Sequence, residues 1–521
     1  MKNYEEMELE ILRKAVDESQ ERIGKKALQS PEIQEIIKIV EMFLKRKGLI
    51  CYGGIAINNI LPEDDQFYNR ETEIPDYDFY SPDALNDAKE LADIYYSKGY
   101  TEVEAKAGQH SGTFKVFVNF IGVADITQVP PELFNTIERD SIVIDGIHYV
   151  SANFLRMGVY KELSNPDGDT SRFEKIYKRL LLLNKYYPIT DLNCNKVEYQ
   201  RKMNDEKNSE EIYKILLTTF TDYGCVFFGG HALSVYSEYM PDKIKDKFES
   251  SNPDFDVLAE EPEDVINALK KAFEPHKMKV RIIEHPPVGE IIPPSCEIIV
   301  GKDTVAFIYK TERCHSYNEV IVKGKKVKIA TIDTMLHMYF SFLYADKPYY
   351  DHTRIICMCN FLFNVQQENK LSQKGVLKRF STTCYGHQEQ LEEMKLKRSR
   401  LYKRLKNHQE DPEYQFNFFN YKPAEDFNPV TVDVNRRHHT RNYFTKANVK
   451  DYSRAHIKTK KRGYSPQTIL SQIVKTIETK PVFEKRSKSR RPRYRGAPRA
   501  RNYLSSFKYK KTRKQKYPSM M

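Results

Sequence analysis

The chain repeats its own grammar, and that constrains its fold more than any bulk property does. A helix-patterned run, a short apolar strand and a Gly-Gly pair occur twice, as CYGGIAI at 51–57 and VFFGGHAL at 226–233. Each is followed by an Asp-x-Asp segment, PDYDFY at 75–80 and PDFDVL at 253–258. Further on, GVADITQV (122–129) matches TVAFIYKT (304–311), and the hairpin-like SIVIDGIHYVS (141–151) matches EVIVKGKKVKIA (319–330). Helices then start near Ala152 and Thr331. One match of this kind is within the reach of chance. Four in the same order, with an offset that grows by only a few residues, read as a tandem duplication. The expected fold is α+β, two copies of a module with a small mixed sheet flanked by helices, over residues 31–190 and 205–365.

Other boundaries follow from pattern and charge. Residues 1–30 read as a helical segment. From Pro31 the apolar residues Ile33, Ile36, Ile37, Val40, Phe43 and Leu44 make a 3.6-residue stripe, with Ser30 as N-cap and Gly48 as stop. Residues 366–483 read as a helical and irregular extension that includes a charged helix over 387–407. The net charge of +12 sits in the tail: from Pro481 onward 15 Lys or Arg face the single acid Glu484. The rest of the chain is nearly neutral, and residues 484–521 are expected to be disordered. At 521 residues, two or three domains are expected. No run of about 18 apolar residues is present, so no membrane span is expected. The start, MKNYEEMELEILRKAV, is charged and helix-patterned, unlike a signal peptide. Eight scattered cysteines without a CxxC pair read as reduced thiols of a cytoplasm-like compartment.

Chemistry concentrates in the first copy. Asp76 and Asp78 flank Tyr77, and in a strand residues two apart share a face. Asp125 lies in a second strand-like segment with Val123 and Thr127 on its face. If the two strands are neighbours, three carboxylates converge. Such like charges call for cations, and oxygen donors suit a hard divalent ion such as Mg²⁺; three carboxylates suffice for two metals. Gly53-Gly54 lets phosphates approach backbone amides and aims a helix start at them. The second copy keeps Asp254 and Asp256 but has Phe307 where Asp125 stands. A benzyl group cannot ligate a metal, so this copy is expected to be catalytically dead.

The ordered set of Gly53-Gly54, Asp76/Asp78 and Asp125 resembles the polymerase-β-like nucleotidyltransferase superfamily. The insert LPEDDQFYNRETEI lengthens the step from Gly54 to Asp76 beyond the usual. Its acidic residues suggest a loop over the site. The wording YGGIAINNIL and DYDFYSP, with a second such module in the chain, resembles more closely the viral poly(A) polymerase catalytic subunits of poxvirus and giant-virus type. That resemblance covers about residues 30–365. It implies a nucleotidyltransferase (palm) fold and transfer of AMP from ATP to RNA 3′ ends, with two Mg²⁺ or Mn²⁺ ions. It also implies a processivity subunit or a homo-oligomer, and a place in the host cytoplasm or the virion. Basic residues after the third carboxylate commonly hold the triphosphate in such enzymes, which nominates Lys161, Arg172 and Lys175. The alternatives are another terminal nucleotidyltransferase (uridylyl-, CCA-adding or oligonucleotide-signal synthase) and a noncatalytic RNA-binding scaffold. Three intact carboxylates argue against the scaffold.

The tail interleaves Tyr494, Tyr503, Tyr509 and Tyr517 with its basic residues, a composition that tracks RNA by charge and stacking. Truncation at Glu484 is expected to remove a salt-sensitive part of RNA binding in a filter or anisotropy assay. Unchanged binding would assign the tail to solubility, packaging or localisation instead.

Overall fold

The computed structural model describes residues 4–68, 74–189, 207–249, 254–322 and 324–426, and between 190 and 206 only 194, 197–200, 203 and 204. The tail expected at 484–521 and the part of the extension expected at 366–483 that follows residue 426 lie outside the described residues.

Two sheets carry the fold. The first contains β1 (Ile50–Cys51), β2 (Tyr77–Ser81), β3 (Val103–Ala107), β4 (Thr113–Val118), β5 (Ile121–Gln128), β6 (Ile142–Ile144) and β7 (Ile147–Tyr149). The second contains β8 (Val226–Phe227), β9 (Phe255–Ala259), β10 (Val280–His285), β11 (Ser295–Val300), β12 (Asp303–Lys310), β13 (His315–Val322) and β14 (Lys325–Ala330). Their orders are β3-β4-β5-β2-β1-β7-β6 and β10-β11-β12-β9-β8-β14-β13, the same order position by position. Both are mixed, with β2–β5 and β1–β7 parallel in the first and β9–β12 and β8–β14 parallel in the second. The duplication read from the sequence is thus visible as two sheets of one topology. Each sheet gains an edge strand from the C-terminal extension, β15 (Cys384–Tyr385) on β13 and β16 (Asn420–Tyr421) on β3. The described part of that extension is therefore a fastening for both sheets.

Helices follow from the same local rules. The first module uses α1 (Tyr4–Leu28), α2 (Pro31–Lys47), α3 (Gly53–Ile60), α4 (Ala84–Ser97), α5 (Pro131–Arg139), α6 (Ala152–Leu163) and α7 (Phe173–Tyr186). The second uses α8 (Ser209–Asp222), α9 (Gly230–Ser237), α10 (Asp242–Glu249), α11 (Pro262–Phe273), α12 (Ile332–Phe342) and α13 (His352–Glu368), followed by α14 (Leu391–Leu405) and α15 (Pro412–Phe418). In α2 the stripe buries Ile36, Ile39, Val40, Phe43 and Leu44, and the helix stops at left-handed Gly48, whose N–H donates to the Leu44 carbonyl. Ser30 stands at the N-cap in extended backbone, but its side chain makes no capping bond. In β2 the alternation buries Tyr77, Phe79 and Ser81 and turns Asp78 and Tyr80 to the other face.

The modules meet through equivalent helices, α6 and α12. Each begins on a hydroxyl cap, Ser151 accepting from the Phe154 N–H and Thr331 from the Thr334 N–H. Tyr160 stacks on Phe340 across the junction, with ring centroids 6.1 Å apart. Two cysteine pairs are bonded, Cys194–Cys357 and Cys314–Cys384, which corrects the expectation of eight reduced thiols. The partners are 163 and 70 residues apart, so their pairing is set by tertiary structure rather than by local spacing. Cys51, Cys225 and Cys359 are buried thiols, as their apolar surroundings suggest. Beneath α12, Arg379 donates from Nε to both oxygens of the fully buried Asp333, at 2.9 Å each, and from Nη2 at 2.8 Å. Breaking such a buried pair strands a charge. Asp333→Ala is expected to destabilise the fold by about 3–5 kcal/mol in denaturant unfolding. A loss under about 1 kcal/mol would show that the site relaxes to let water reach the guanidinium.

Candidate active site

The first module brings the three predicted carboxylates to one place. β2 and β5 run parallel in a register that sets Asp78 beside Asp125, and Asp76 lies one residue before β2. Asp76 is exposed, while Asp78 and Asp125 are half-buried. Beyond them, Tyr52 stacks on Tyr80 at 4.0 Å between centroids and hydrogen-bonds to Thr127 through its hydroxyl at 2.9 Å. Burial, then repulsion from Asp76 and Asp125, pushes the Asp78 carboxyl up to about 7, against the pull of Lys115 and Arg172. Burial and Asp125 raise Asp76 in the same sense. The Lys115 ammonium, directly across on β4, forms an ion pair with Asp125.

This donor set fits divalent cations. It offers only hard oxygen atoms, and it gathers more negative charge than Lys115 balances. Among the described residues, the one set of three acidic, Cys or His groups with donor atoms all within 4.8 Å is Asp167, Cys314 and Cys384. The two sulfurs of that set are bonded to each other, which leaves no thiolate for a metal. The three aspartates stand further apart than that, as repulsion and the pull of Lys115 require.

Gly53 and Gly54 open α3 at the edge of this site. Gly53 has φ +72, and a Cβ on it would stand 2.9 Å from Asp78 Oδ2. A Cβ on Gly54 would stand 2.6 Å from the Tyr68 hydroxyl and 3.0 Å from Arg179 Nη1. Both positions need glycine, for two different neighbours. The three basic residues nominated from the sequence fare differently. Arg172 closes a 3₁₀ turn (Thr170–Arg172), makes a half-exposed ion pair with Glu162 at 3.4 Å, and acts electrostatically on Asp78. Lys161 lies in the last turn of α6 against the second module, where Arg313 Nη1 donates to its carbonyl at 2.8 Å. Burial, then Arg313, lowers the pKa of its ammonium. Lys175 is exposed on α7 and faces solvent. The residue the sequence reading missed is Arg179, buried on the inner face of α7 against Gly54. Its one signal was its place in the stripe with Ile176, Leu180 and Leu183.

The second module shows the same frame put to another use. β9 and β12 pair Asp256 with Phe307, the register that pairs Asp78 with Asp125. Phe307 is fully buried and packs against Tyr349 at 5.3 Å and His285 at 6.0 Å. Where Lys115 faces Asp125, Glu297 faces Phe307 and is taken up by His285 at 2.9 Å and Thr304 at 2.5 Å. Asp254 meets Arg354 at 3.4 Å. A Cβ on Gly229 or Gly230 would come within 3.0 Å of the Asp256 or Asp254 carboxylate. The carboxylates here are folded onto the Gly-Gly turn and closed over by protein.

Residues 38–169 match the family model described as Poly(A) polymerase catalytic subunit. That stretch holds Gly53, Gly54, Asp76, Asp78, Asp125 and Lys161, and ends before Arg172. The chain is 36% identical over 171 residues to a protein of African swine fever virus (strain Badajoz 1971 Vero-adapted) described as a candidate poly(A) polymerase catalytic subunit, covering 32% of this chain and 36% of that one. A protein of Acanthamoeba polyphaga mimivirus with the same description is 31% identical over 196 residues, covering 37% and 32%. The chain therefore spans about a third of the length of the curated relatives it matches. Among solved structures, the Megavirus polyadenylate synthase superposes with a TM-score of 0.70 at 21% identity, over 82% of this chain and 87% of that one. The resemblance drawn from YGGIAINNIL and DYDFYSP is borne out over the first module, and the two-sheet α+β fold over most of the chain.

The charge at Asp78 has a measurable cost. A carboxyl whose folded pKa lies above its unfolded value of about 3.9 contributes stability that is complete below that value and is lost as pH rises through the folded pKa. In metal-free protein, Asp78→Asn is expected to raise the melting temperature by a few degrees at pH 8, with the gain shrinking towards pH 5. A gain independent of pH would contradict the raised Asp78 carboxyl.

Proposed function

We propose that the first module is the active site of a template-independent polymerase that adds AMP from ATP to RNA 3′ ends. The observation that carries this reading is the register of β2 and β5. It puts Asp78 beside Asp125, with Asp76 one residue before β2, in the module whose glycine turn opens α3 at the edge of these carboxylates. Asp76, Asp78 and Asp125 would hold two Mg²⁺ or Mn²⁺ ions, which when bound lower the pKa of the attacking hydroxyl and neutralise the leaving pyrophosphate. The chain's own groups supply the rest. The Gly53-Gly54 turn and the start of α3 receive the triphosphate on backbone N–H groups. Asp125 is placed to accept the proton of the RNA 3′-hydroxyl as its oxygen attacks the α-phosphorus and the bond to pyrophosphate breaks. Lys115 would then exchange its pairing with Asp125 for the negative charge of the bound triphosphate.

The second module serves as scaffold, closing one side of the first through α12 and Arg313. Partners in this reading are ATP, an RNA 3′ end and either a processivity subunit or a second copy of the chain, in the host cytoplasm or the virion. Among the described residues no helix is long and apolar enough to cross a membrane.

An RNA primer offered with each NTP separately tests the reading. Extension with ATP alone, dependent on Mg²⁺ or Mn²⁺, is the expected result. Extension with UTP or CTP instead would make it another terminal nucleotidyltransferase. No extension with any NTP would overturn the enzyme assignment.

A further inference from the structure

The acidic insert before Asp76 is built onto the active site. Asn58 Oδ1 accepts from the backbone N–H groups of Phe67 at 2.8 Å and Tyr68 at 2.7 Å. Asp65 takes the Lys185 ammonium at 2.5 Å and the Tyr186 hydroxyl, both from the last turn of α7. The strap so held lays two aromatic rings on one guanidinium. Arg179 sits 4.6 Å from the Phe67 ring centroid and 5.4 Å from that of Tyr68, and its Nη2 donates to the Tyr68 hydroxyl at 2.7 Å.

Arg179 as a whole is only 8% exposed. Among the described residues it has no carboxylate within ion-pair distance, and its Nε has no hydrogen-bond partner. Ring faces and one phenol offset part of the cost of burying a cation, and Glu162 attracts it electrostatically without reaching ion-pair distance. Its Nη1 points at Gly54, where an added Cβ would stand 3.0 Å away, while Asp78 lies against the adjacent Gly53. One glycine turn thus has a carboxylate on one side and, on the other, an arginine that makes no ion pair among the described residues, at the start of α3.

We propose that Arg179 grips the terminal phosphates of the incoming nucleoside triphosphate, with Phe67 and Tyr68 of the insert as positioning residues. A planar guanidinium suits phosphate oxygens, and one already fixed by packing loses little freedom on binding. The neighbouring cations are less well placed for this: Arg172 is engaged by Glu162, Lys175 faces solvent, and Lys161 lies under Arg313. The assignment rests on reading the first module as the site of nucleotide transfer.

The test is steady-state kinetics on full-length protein, with inorganic tripolyphosphate and adenosine as separate inhibitors. Arg179→Met is expected to raise the KM for ATP and the inhibition constant of tripolyphosphate by about 10- to 100-fold, the worth of a charge-assisted hydrogen bond. The KM for RNA and the inhibition constant of adenosine should stay within about twofold. Tyr68→Phe keeps the ring and removes the phenol. It should raise the KM for ATP by a smaller factor and leave kcat unchanged. If Arg179→Met does not fold, Arg179→Lys retains the charge without the fork and should show the same selective loss in milder form. Unchanged tripolyphosphate inhibition, or equal losses for adenosine and tripolyphosphate, would overturn the proposal. Calorimetric titration of tripolyphosphate keeps the two readings apart. A wild-type protein that transfers no nucleotide refutes the transferase reading, whereas tripolyphosphate binding that ignores Arg179 refutes this assignment alone.

Discussion

The pairing of β2 with β5 is the constraint on which the rest of the site depends. It fixes Asp78 opposite Asp125 in a parallel register, where backbone hydrogen bonds hold two carboxyl groups on neighbouring strands. Burial disfavours the charged carboxylate, and repulsion from Asp76 and Asp125 adds to it, which is why the Asp78 carboxyl is pushed up to about 7. A sheet tolerates this arrangement only if other strands hold the register. Here β4 does so from one side, with Lys115 as a local counter-charge, and β1 from the other. The glycine turn after β1 is tied to the same register, because the Tyr52 N–H donates to the Asp78 carbonyl at 2.9 Å. The Asp78 and Asp125 carboxylates and the glycine turn are thereby placed by one set of ladder bonds.

The second module is an internal control on this argument. It has the same strand order and the same aspartate pair, yet its cross-strand neighbours differ. Lys115 facing Asp125 becomes Glu297 facing Phe307. With the third carboxylate replaced by a buried ring, aromatic packing fills the space and Arg354 meets Asp254. The two modules share a scaffold, and where the first has an anionic cleft the second has a packed core. Its helix α12 now supports α6 of the first module.

Local signals carried most of this architecture into the sequence. Strand parity around Tyr77 and the Gly-Gly pairs are short-range patterns, and the repeat allowed each to be checked against its copy. Phe307 was legible as the partner of Asp125 for that reason. Arg179 was not, because what distinguishes it is contact with Tyr68, 111 residues away, which only the tertiary fold brings about. The bonded cysteine pairs and the two-residue strands β15 and β16 escaped for a related reason. Two residues show no periodicity, and a cysteine's partner is chosen by the fold.

The central claim is that catalysis belongs to the first module alone. The most direct measurement compares RNA extension by Asp125→Ala with that by the double variant Asp254→Asn/Asp256→Asn, alongside melting curves for both. The account predicts that Asp125→Ala keeps its fold and loses more than the about 100-fold typical of an outer-shell metal partner. The double variant, if folded, should retain activity within a few-fold of the parent. Substantial extension by Asp125→Ala, or its loss in a well-folded Asp254→Asn/Asp256→Asn protein, would contradict it.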